Sequence, residues 1–375
     1  ILAALRLSSA GRQHVSVALY DAAFSAMTTF LPAALGGVRK PVNRVGNRHP
    51  LASPWNVYRA SDGWVLVCAG NDEQWQRICA LMGEAGSRLA ARYPKIGDRV
   101  EQPDQVDAGL QAWIGERPIA NCIREFASAG IPCGPIAPVE RFPSEANLDH
   151  RAMVRQAIDA VSGHSFFVAG SPLRMSRTPG VAPGSVSAPD ADRAMVLALL
   201  HAQEPSSISP DARASSSDRP LAGIRVLEIG HYTTAPAASR QLAALGAEVI
   251  KLEPPGGEAV RNWPPKLGDR AVFFSFQNAD KRSLMLDLAN PTDLARLHQL
   301  VAGCDVLIEN MRPGALERKG LGPDALLKLN PRLVACSISG FGADSLYEGR
   351  PAFDTVVQAM SGLMDLNRAD GIPMK

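Results

Sequence analysis

The sequence predicts an α/β fold: an open, doubly wound, Rossmann-like parallel sheet forming a large domain, with a smaller α+β domain beside it. Three observations lead there. After residue 220, runs rich in β-branched and apolar residues alternate with helical patterns, the order that βαβ units require. The helical stretches open at or near Pro236, Pro291 and Pro323, positions where the missing N–H costs nothing. Between Thr178 and Pro220 the composition shifts to Pro, Ser, Ala and Asp, which buries too little apolar surface to fold alone and separates two portions.

The chain opens at Ile1-Leu2-Ala3-Ala4-Leu5, an apolar, helix-like stretch with no capping residue before it, and so reads as an interior start. Its apolar character runs on to Leu35, but Arg6, Arg12, His14 and Asp21 interrupt it well short of the ~18 apolar residues a membrane span needs. It does not read as a signal peptide either. A Gly/Pro-rich irregular region at 36–54 precedes an expected strand over 64–68 and helices around 74–82 and 106–114. A periodic stretch at 191–202, with Met195, Leu197, Leu199 and Leu200, predicts a terminal helix. The expected organisation is residues 1–202, a linker at 203–219, and 220–375.

In the second portion the expected order is a strand over 224–229, a helix over 236–245 and a strand over 249–252. A helix over 291–301, a strand over 305–308, a helix over 323–329 and a strand over 333–338 follow. In an open sheet of this class, ligands sit at the carboxyl ends of the strands. The first strand runs into Gly230-His231-Tyr232-Thr233-Thr234-Ala235-Pro236, placing helix-start N–H groups where a phosphate or thioester oxygen would bind. The absence of a Gly-x-Gly-x-x-Gly disfavours a NAD-type site; a polar helix cap with threonine hydroxyls is an equally good reading of so loose a motif.

Composition narrows the function classes. Lys and Arg total 39 against 37 Asp and Glu, and no long basic run supplies the concentrated field that nucleic acid requires. Six scattered cysteines form no Cys-x-x-Cys pair, so neither zinc nor a disulfide framework is indicated, and a reducing cytoplasm is the expected compartment.

Five blocks in the second portion carry a resemblance. They are Pro220-Leu221-Ala222-Gly223-Ile224-Arg225-Val226-Leu227-Glu228, Leu245-Gly246-Ala247-Glu248-Val249-Ile250-Lys251-Leu252-Glu253 and Asp280-Lys281-Arg282-Ser283-Leu284-Met285-Leu286-Asp287-Leu288. Ile308-Glu309-Asn310-Met311-Arg312-Pro313-Gly314-Ala315-Leu316-Glu317-Arg318 and Ser339-Gly340-Phe341-Gly342 complete them. In order and spacing they resemble the class III CoA-transferases of the CaiB/BaiF, formyl-CoA transferase type. The first portion resembles the rest of that family through Gly11-Arg12-Gln13-His14, Arg44-Val45-Gly46-Asn47-Arg48-His49-Pro50, Asp62-Gly63-Trp64 and Ala129-Gly130-Ile131-Pro132-Cys133-Gly134-Pro135. In the family these blocks come last, so the C-terminal portion here precedes the N-terminal one. The chain is then a permuted domain or the middle of a tandem protein.

The resemblance implies the fold of an interlocked dimer, with acyl-CoA and a carboxylic acid as substrates and no permanently bound cofactor. It implies CoA contacts at Thr233, Thr234, Leu286, Asp287, Leu288, Asn310, Met311, Arg312, Gly340 and Phe341. Arg318 matches an arginine that pairs with CoA phosphate, a role suited to a delocalised cation. His49, Pro50 and Leu51 match the mobile loop over the substrate, although the glycine-rich version is replaced; His49 taken alone reads as structural. Pro254 stands where the formyl-CoA type has arginine and Ala289 where a lysine often covers adenine.

The family chemistry is covalent, running through a mixed anhydride and an enzyme-CoA thioester, with backbone N–H groups stabilising the oxyanions. Asp354 matches a supporting acidic position. The family nucleophile, an aspartate, falls in neither portion, so this chain is expected not to transfer CoA alone. Two other readings stand beside this one. An α-methylacyl-CoA racemase relies on a His-Asp pair and is disfavoured by Phe353 at the histidine position. A non-catalytic CoA-binding fragment needs only the nucleotide-contacting blocks.

Overall fold

The computed structural model describes residues 2–6, 14–27, 44–178, 185–202, 219–263, 265–347 and 349–375. The expected linker at 203–219 lies outside them except for Arg219, and so does most of the apolar stretch after Met27. What is described of that stretch includes a helix, Leu19–Ala26, with no buried residue. No described helix is long and apolar enough to cross a membrane.

In the first portion, β1 (Trp55–Ala60) and β2 (Gly63–Cys68) form an antiparallel hairpin, and β3 (Cys133–Pro135) pairs with β2. Three helices cover it: α1 (Asp72–Leu81), α2 (Pro103–Gly115) and α3 (Ile119–Ser128). Asn71 starts α1 by accepting the Gln74 N–H, and Pro103 occupies the first turn of α2, both ordinary ways of closing a helix start. Tyr58, Val65, Val67, Trp75, Ile78, Leu110, Ile114 and Phe126 form the core between sheet and helices. A second hairpin, β4 (Val154–Asp159) and β5 (Ser165–Ala169), is joined by a two-residue strand, Ser185–Val186. The terminal helix is present as Arg193–Ala202.

The second portion is a five-stranded parallel sheet. In chain order its strands are β6 (Arg225–Ile229), β7 (Glu248–Glu253), β8 (Lys281–Met285), β9 (Val306–Glu309) and β10 (Val334–Ser337), and in space they run β8-β7-β6-β9-β10. The order reverses between β6 and β9, which are neighbours in register from Val226 opposite Val306. Successive side chains of β6 face opposite ways. Leu227 and Ile229 pack with Leu297, Val301 and Leu326 from α5 (Pro291–Ala302) and α6 (Pro323–Leu329), while Val226 packs with Ala235 and Leu242 from α4 (Thr234–Ala244). The sheet is thus covered on both faces, as doubly wound sheets are. The edge strand β10 is exposed along its whole length.

The two portions share a core. The helix α7 (Asp354–Met360), from the second, lies against β3 and β2 of the first, so Val356, Ala359 and Met364 pack with Trp55, Leu66 and Cys68. Polar bonds stitch the seam. The Ala137 N–H donates to Ala359 O at 3.0 Å and Asn47 Nδ2 to Pro373 O at 2.7 Å. Asn147 Oδ1 accepts from Ser345 Oγ and Leu346 N at 2.8 and 2.9 Å. Trp55 Nε1 donates to Thr355 Oγ1 at 2.7 Å, both residues being buried. Replacing Thr355 with Val keeps the shape but orphans the indole N–H, so urea unfolding should show a loss of about 1–3 kcal/mol. No change would mean that the indole finds another acceptor.

Candidate active site

The reversal of strand order opens a crevice beyond the carboxyl ends of β6 and β9, the place where sheets of this kind bind ligands. On one side is the loop 230–234 and the start of α4; on the other, Asn310-Met311-Arg312. Asn310 spans the gap. Its Oδ1 accepts the His231 N–H at 2.8 Å, and its Nδ2 donates to His231 O and Thr234 Oγ1, both at 2.8 Å. An amide has two N–H donors and a two-lone-pair oxygen, so the Asn310 side chain is nearly spent on holding the loop.

The loop N–H groups are not all free, contrary to the sequence expectation. His231 N–H is taken by Asn310, and Tyr232 N–H donates to Glu258 Oε1 at 2.6 Å. Tyr232 holds a φ of 63°, an uncommon conformation for a bulky residue. Thr233 stands at the head of α4 with no side-chain cap, so the N–H groups of Thr234 and Ala235 have no intrahelical partner.

Beneath the loop lies a buried charge network that the sequence reading did not find. Glu228, Lys251, Glu253 and Glu258 are each at most 1% exposed. Lys251 Nζ donates to Glu228 Oε1 at 2.8 Å and to Gly230 O at 2.9 Å, and lies 2.8 Å from Glu258 Oε2 as an ion-pair contact. Lys281 Nζ reaches Glu228 Oε2 at 2.7 Å, where Ser239 Oγ also donates. Two lysines balance Glu228 and Glu258, and Arg261 balances Glu253, as buried charges require. Burial alone would raise the Glu228 carboxyl, but the two lysines hold it below its ordinary value. The available signal was a Glu or Lys inside the apolar runs Val226-Leu227-Glu228-Ile229 and Val249-Ile250-Lys251-Leu252, since a strand covered on both faces leaves a charge nowhere to go except to a partner.

An aromatic wall closes the crevice toward the first portion. Tyr232 meets Phe353 edge-on with ring centroids 5.5 Å apart and Trp263 at 5.6 Å; Trp55 lies 4.9 Å from Phe353. His49 stacks on Trp55 at 4.7 Å, and its Nδ1 accepts the Leu51 N–H at 3.1 Å. Burial, with Lys375 adding to it, pushes His49 down to about 3, so it is neutral at physiological pH. Leu51 is buried against Val260, Trp263 and Phe273. A cavity of about 340 Å³ runs behind this turn, lined by Arg48, His49, Pro50, Trp55, Pro103 and Asp107 among others.

Of the remaining residues expected at the site, 286–288, 311–312 and 340–341 follow shortly after the carboxyl ends of β8, β9 and β10, while Arg318 and Asp354 stand farther along the chain. Asp354 opens α7, exposed, and accepts Gln358 Nε2 at 2.6 Å. Lys375 lies close enough for Asp354 to raise its pKa, although burial is the larger effect and lowers it. Leu286 is a core residue; Leu288 packs beside it, and Asp287 is exposed, its Oδ1 accepting the Ala289 N–H at 2.8 Å. The Met311 N–H donates to Glu309 Oε2, and Arg312 is exposed. Gly340 lies so close to Ala352 that a Cβ there would sit 2.4 Å from Ala352 Cβ, and Phe341 packs edge-on against Tyr347 at 5.1 Å. Arg318 is exposed on the 3₁₀ turn Glu317–Lys319, its Nη1 over Gly314. Sequence reasoning passed over Tyr232, Trp263 and Glu258, because aromatic and acidic residues in loops carry no spacing signal, and Trp55, because its strand β1 was not expected.

A family profile described as CoA-transferase family III matches residues 1–193 and 221–375. Similar curated proteins include an acetyl-CoA:oxalate CoA-transferase of Acetobacter aceti, 43% identical over 41% of this chain and 39% of its own length. A succinate–glutarate CoA-transferase of Agrobacterium fabrum is 40% identical over 42% of this chain and 41% of its own length. A formyl-CoA:oxalate CoA-transferase of Streptomyces avermitilis is 40% identical over 41% of this chain and 38% of its own length. The chain therefore spans about two fifths of the length of the curated relatives it matches. A solved CaiB/BaiF family protein of Brucella suis aligns over 42% of this chain and 44% of its own with 36% identity and a TM-score of 0.41. With the match extending over both portions, this chain belongs to CoA-transferase family III.

Proposed function

We propose that this chain works in the transfer of CoA from an acyl-CoA to a carboxylic acid. The observation that carries the reading is the crevice at the reversal of strand order, where an uncapped helix start, the Asn310 bridge and the aromatic wall converge in a chain of this family. CoA would lie along the carboxyl edge of the sheet, with Thr233 and Thr234 near the thioester, Asn310, Met311, Arg312, Gly340 and Phe341 along the pantetheine, and the segment 286–288 on the adenine side. The reaction would pass through a mixed anhydride and an enzyme-CoA thioester on the family's nucleophilic aspartate, which lies in neither portion of this chain, with Asp354 as a supporting carboxylate and the turn at His49, Pro50 and Leu51 covering the substrate. Residues 220–375 form the CoA-binding portion and residues 1–202 the remainder of a domain whose parts are joined in reverse order. The protein is a homodimer or a tandem-domain protein. The relatives named above for oxalate and glutarate favour a small dicarboxylic acid as acceptor.

The test is to incubate the protein, alone and extended through the family's aspartate-bearing segment, with acyl-CoA and radiolabelled oxalate or glutarate and to follow label in the new thioester, beside calorimetry with CoA. Transfer supports the reading. Binding without transfer favours the second reading, a CoA-binding portion without turnover, and neither binding nor transfer overturns both. Phe353 in place of a histidine argues against a racemase. In the same calorimetry Arg318→Ala should weaken CoA binding by about 1–3 kcal/mol, the range for a charge-assisted phosphate contact. Unchanged affinity removes Arg318 from the site.

A further inference from the structure

We infer that Glu258 is a positioning residue, whose carboxylate holds the Tyr232 N–H and so fixes the loop 230–234 in the shape that meets the acyl-CoA. The inference rests on the proposed CoA site for its ligand, but not for the loop geometry.

The argument begins with what holds a strained loop. Tyr232 has its backbone in the left-handed region, at φ 63°, which a bulky residue keeps only when its surroundings over-determine it. Three side chains do so: Asn310, Glu258 and Lys251. Asn310, just after β9, takes both the N–H and the carbonyl of His231. Glu258, from the segment after β7, takes the N–H of Tyr232 at 2.6 Å, and Lys251 takes the carbonyl of Gly230 at 2.9 Å. Each end of the strained turn is therefore tied to a group that is itself fixed.

Glu258 is fixed unusually well. It is 1% exposed, its own N–H donates to Glu253 Oε2 at 2.9 Å, and its Oε2 lies against Lys251 Nζ. Glu253 is in turn gripped by Arg261 through two bonds of 2.6 Å. Orientation of the Glu258 carboxylate is thereby set from both sides, and the remaining oxygen points at one target, the Tyr232 N–H. The result reaches the substrate side through the Tyr232 ring, which stands against Trp263 and Phe353, one residue before Asp354. A shift of this backbone would move the aromatic wall and the start of α4 together.

A purely structural ion network makes a different prediction, and substitutions separate the two. Glu258→Asp keeps the charge but shortens the reach by about 1.5 Å, one carbon–carbon bond. Glu258→Gln keeps an oxygen acceptor but loses the charge. Glu228→Gln loses the same charge from the same network without touching the loop. Hydrogen exchange of a peptide covering residues 229–235 reads the loop directly, and calorimetry with CoA reads the site.

With Glu258→Asp, the Tyr232 amide should exchange about tenfold faster or more and CoA should bind about tenfold more weakly, as for a lost hydrogen bond to a charged group. Glu258→Gln and Glu228→Gln should stay within about threefold of the parent in both, although both lower the unfolding midpoint. Unchanged exchange in Glu258→Asp overturns the inference; so do losses in Glu228→Gln or Glu258→Gln that equal those of Glu258→Asp. Should Glu258→Asp fail to fold, Glu258→Gln still decides, because a fully unprotected Tyr232 amide there overturns the inference and a protected one supports it. If the parent protein binds no CoA, the proposed ligand is wrong, while the exchange contrast still settles what Glu258 does for the loop.

Discussion

Lys251→Met should lower the stability of the chain by about 3–5 kcal/mol, the range for removing one partner from a buried charge group. The aliphatic stem of methionine fills much of the same volume, so the loss comes from charge rather than from a cavity. With Lys251 gone, Glu258 loses its ion-pair contact, Glu228 keeps Lys281, and Gly230 O loses its donor. Against a total folding stability of ~5–15 kcal/mol for an ordinary domain, this is a large fraction. Urea unfolding at neutral pH measures it. A loss below about 1 kcal/mol would place the network in the class of surface pairs that contribute little, which its burial argues against.

Glu253 should make the protein sensitive to acid in a defined window. Burial by itself raises its carboxyl, but the Arg261 guanidinium, the Glu258 N–H and the Ser283 hydroxyl outweigh that and hold it at about 2. A carboxyl depressed on folding contributes stability that is complete above its unfolded value, near 4.5, and is lost as pH falls toward the folded value. The contribution is about 3 kcal/mol at neutral pH, and about 2 kcal/mol of it should be gone by pH 3. Comparing the parent with Glu253→Gln in urea at pH 6 and pH 3 isolates this group, because the gap between the two proteins should narrow as the pH falls. An equal gap at both values would show that Glu253 does not titrate in this window.

The parallel sheet was readable because its strands are continuous apolar runs and its helices open on proline or an Asx cap. Residues 323–329 form the helix expected there, and the other expected strands of the sheet are found within one or two residues of their expected ends. The helix expected from Pro236 begins at Thr234 instead, since proline is tolerated anywhere in a first turn, where no N–H has an intrahelical partner. β8 escaped notice as a strand because Lys281, Arg282 and Ser283 are polar. Its pairing with β7 supplies what its side chains do not, and Lys281 turns inward to Glu228. β1 was missed for a similar reason: Asn56 and Arg59 break its apolar run, although Trp55, Val57 and Tyr58 are buried. At the candidate site, sequence could supply the family blocks but not the bonds between them. Asn310 and His231 are 79 positions apart, and nothing local to either says that they meet.

The seam between the two portions bears on how the molecule is held together. Trp55 with Thr355, Asn147 with Leu346 and Asn47 with Pro373 are contacts between residues some two or three hundred positions apart. The covalent connection supplies effective concentration, keeping each half at the other's surface, while recognition between halves resides in the shared core of Trp55, Leu66, Cys68, Val356, Ala359 and Met364. The portions are related as two complementing fragments are: each carries an apolar face that the other completes.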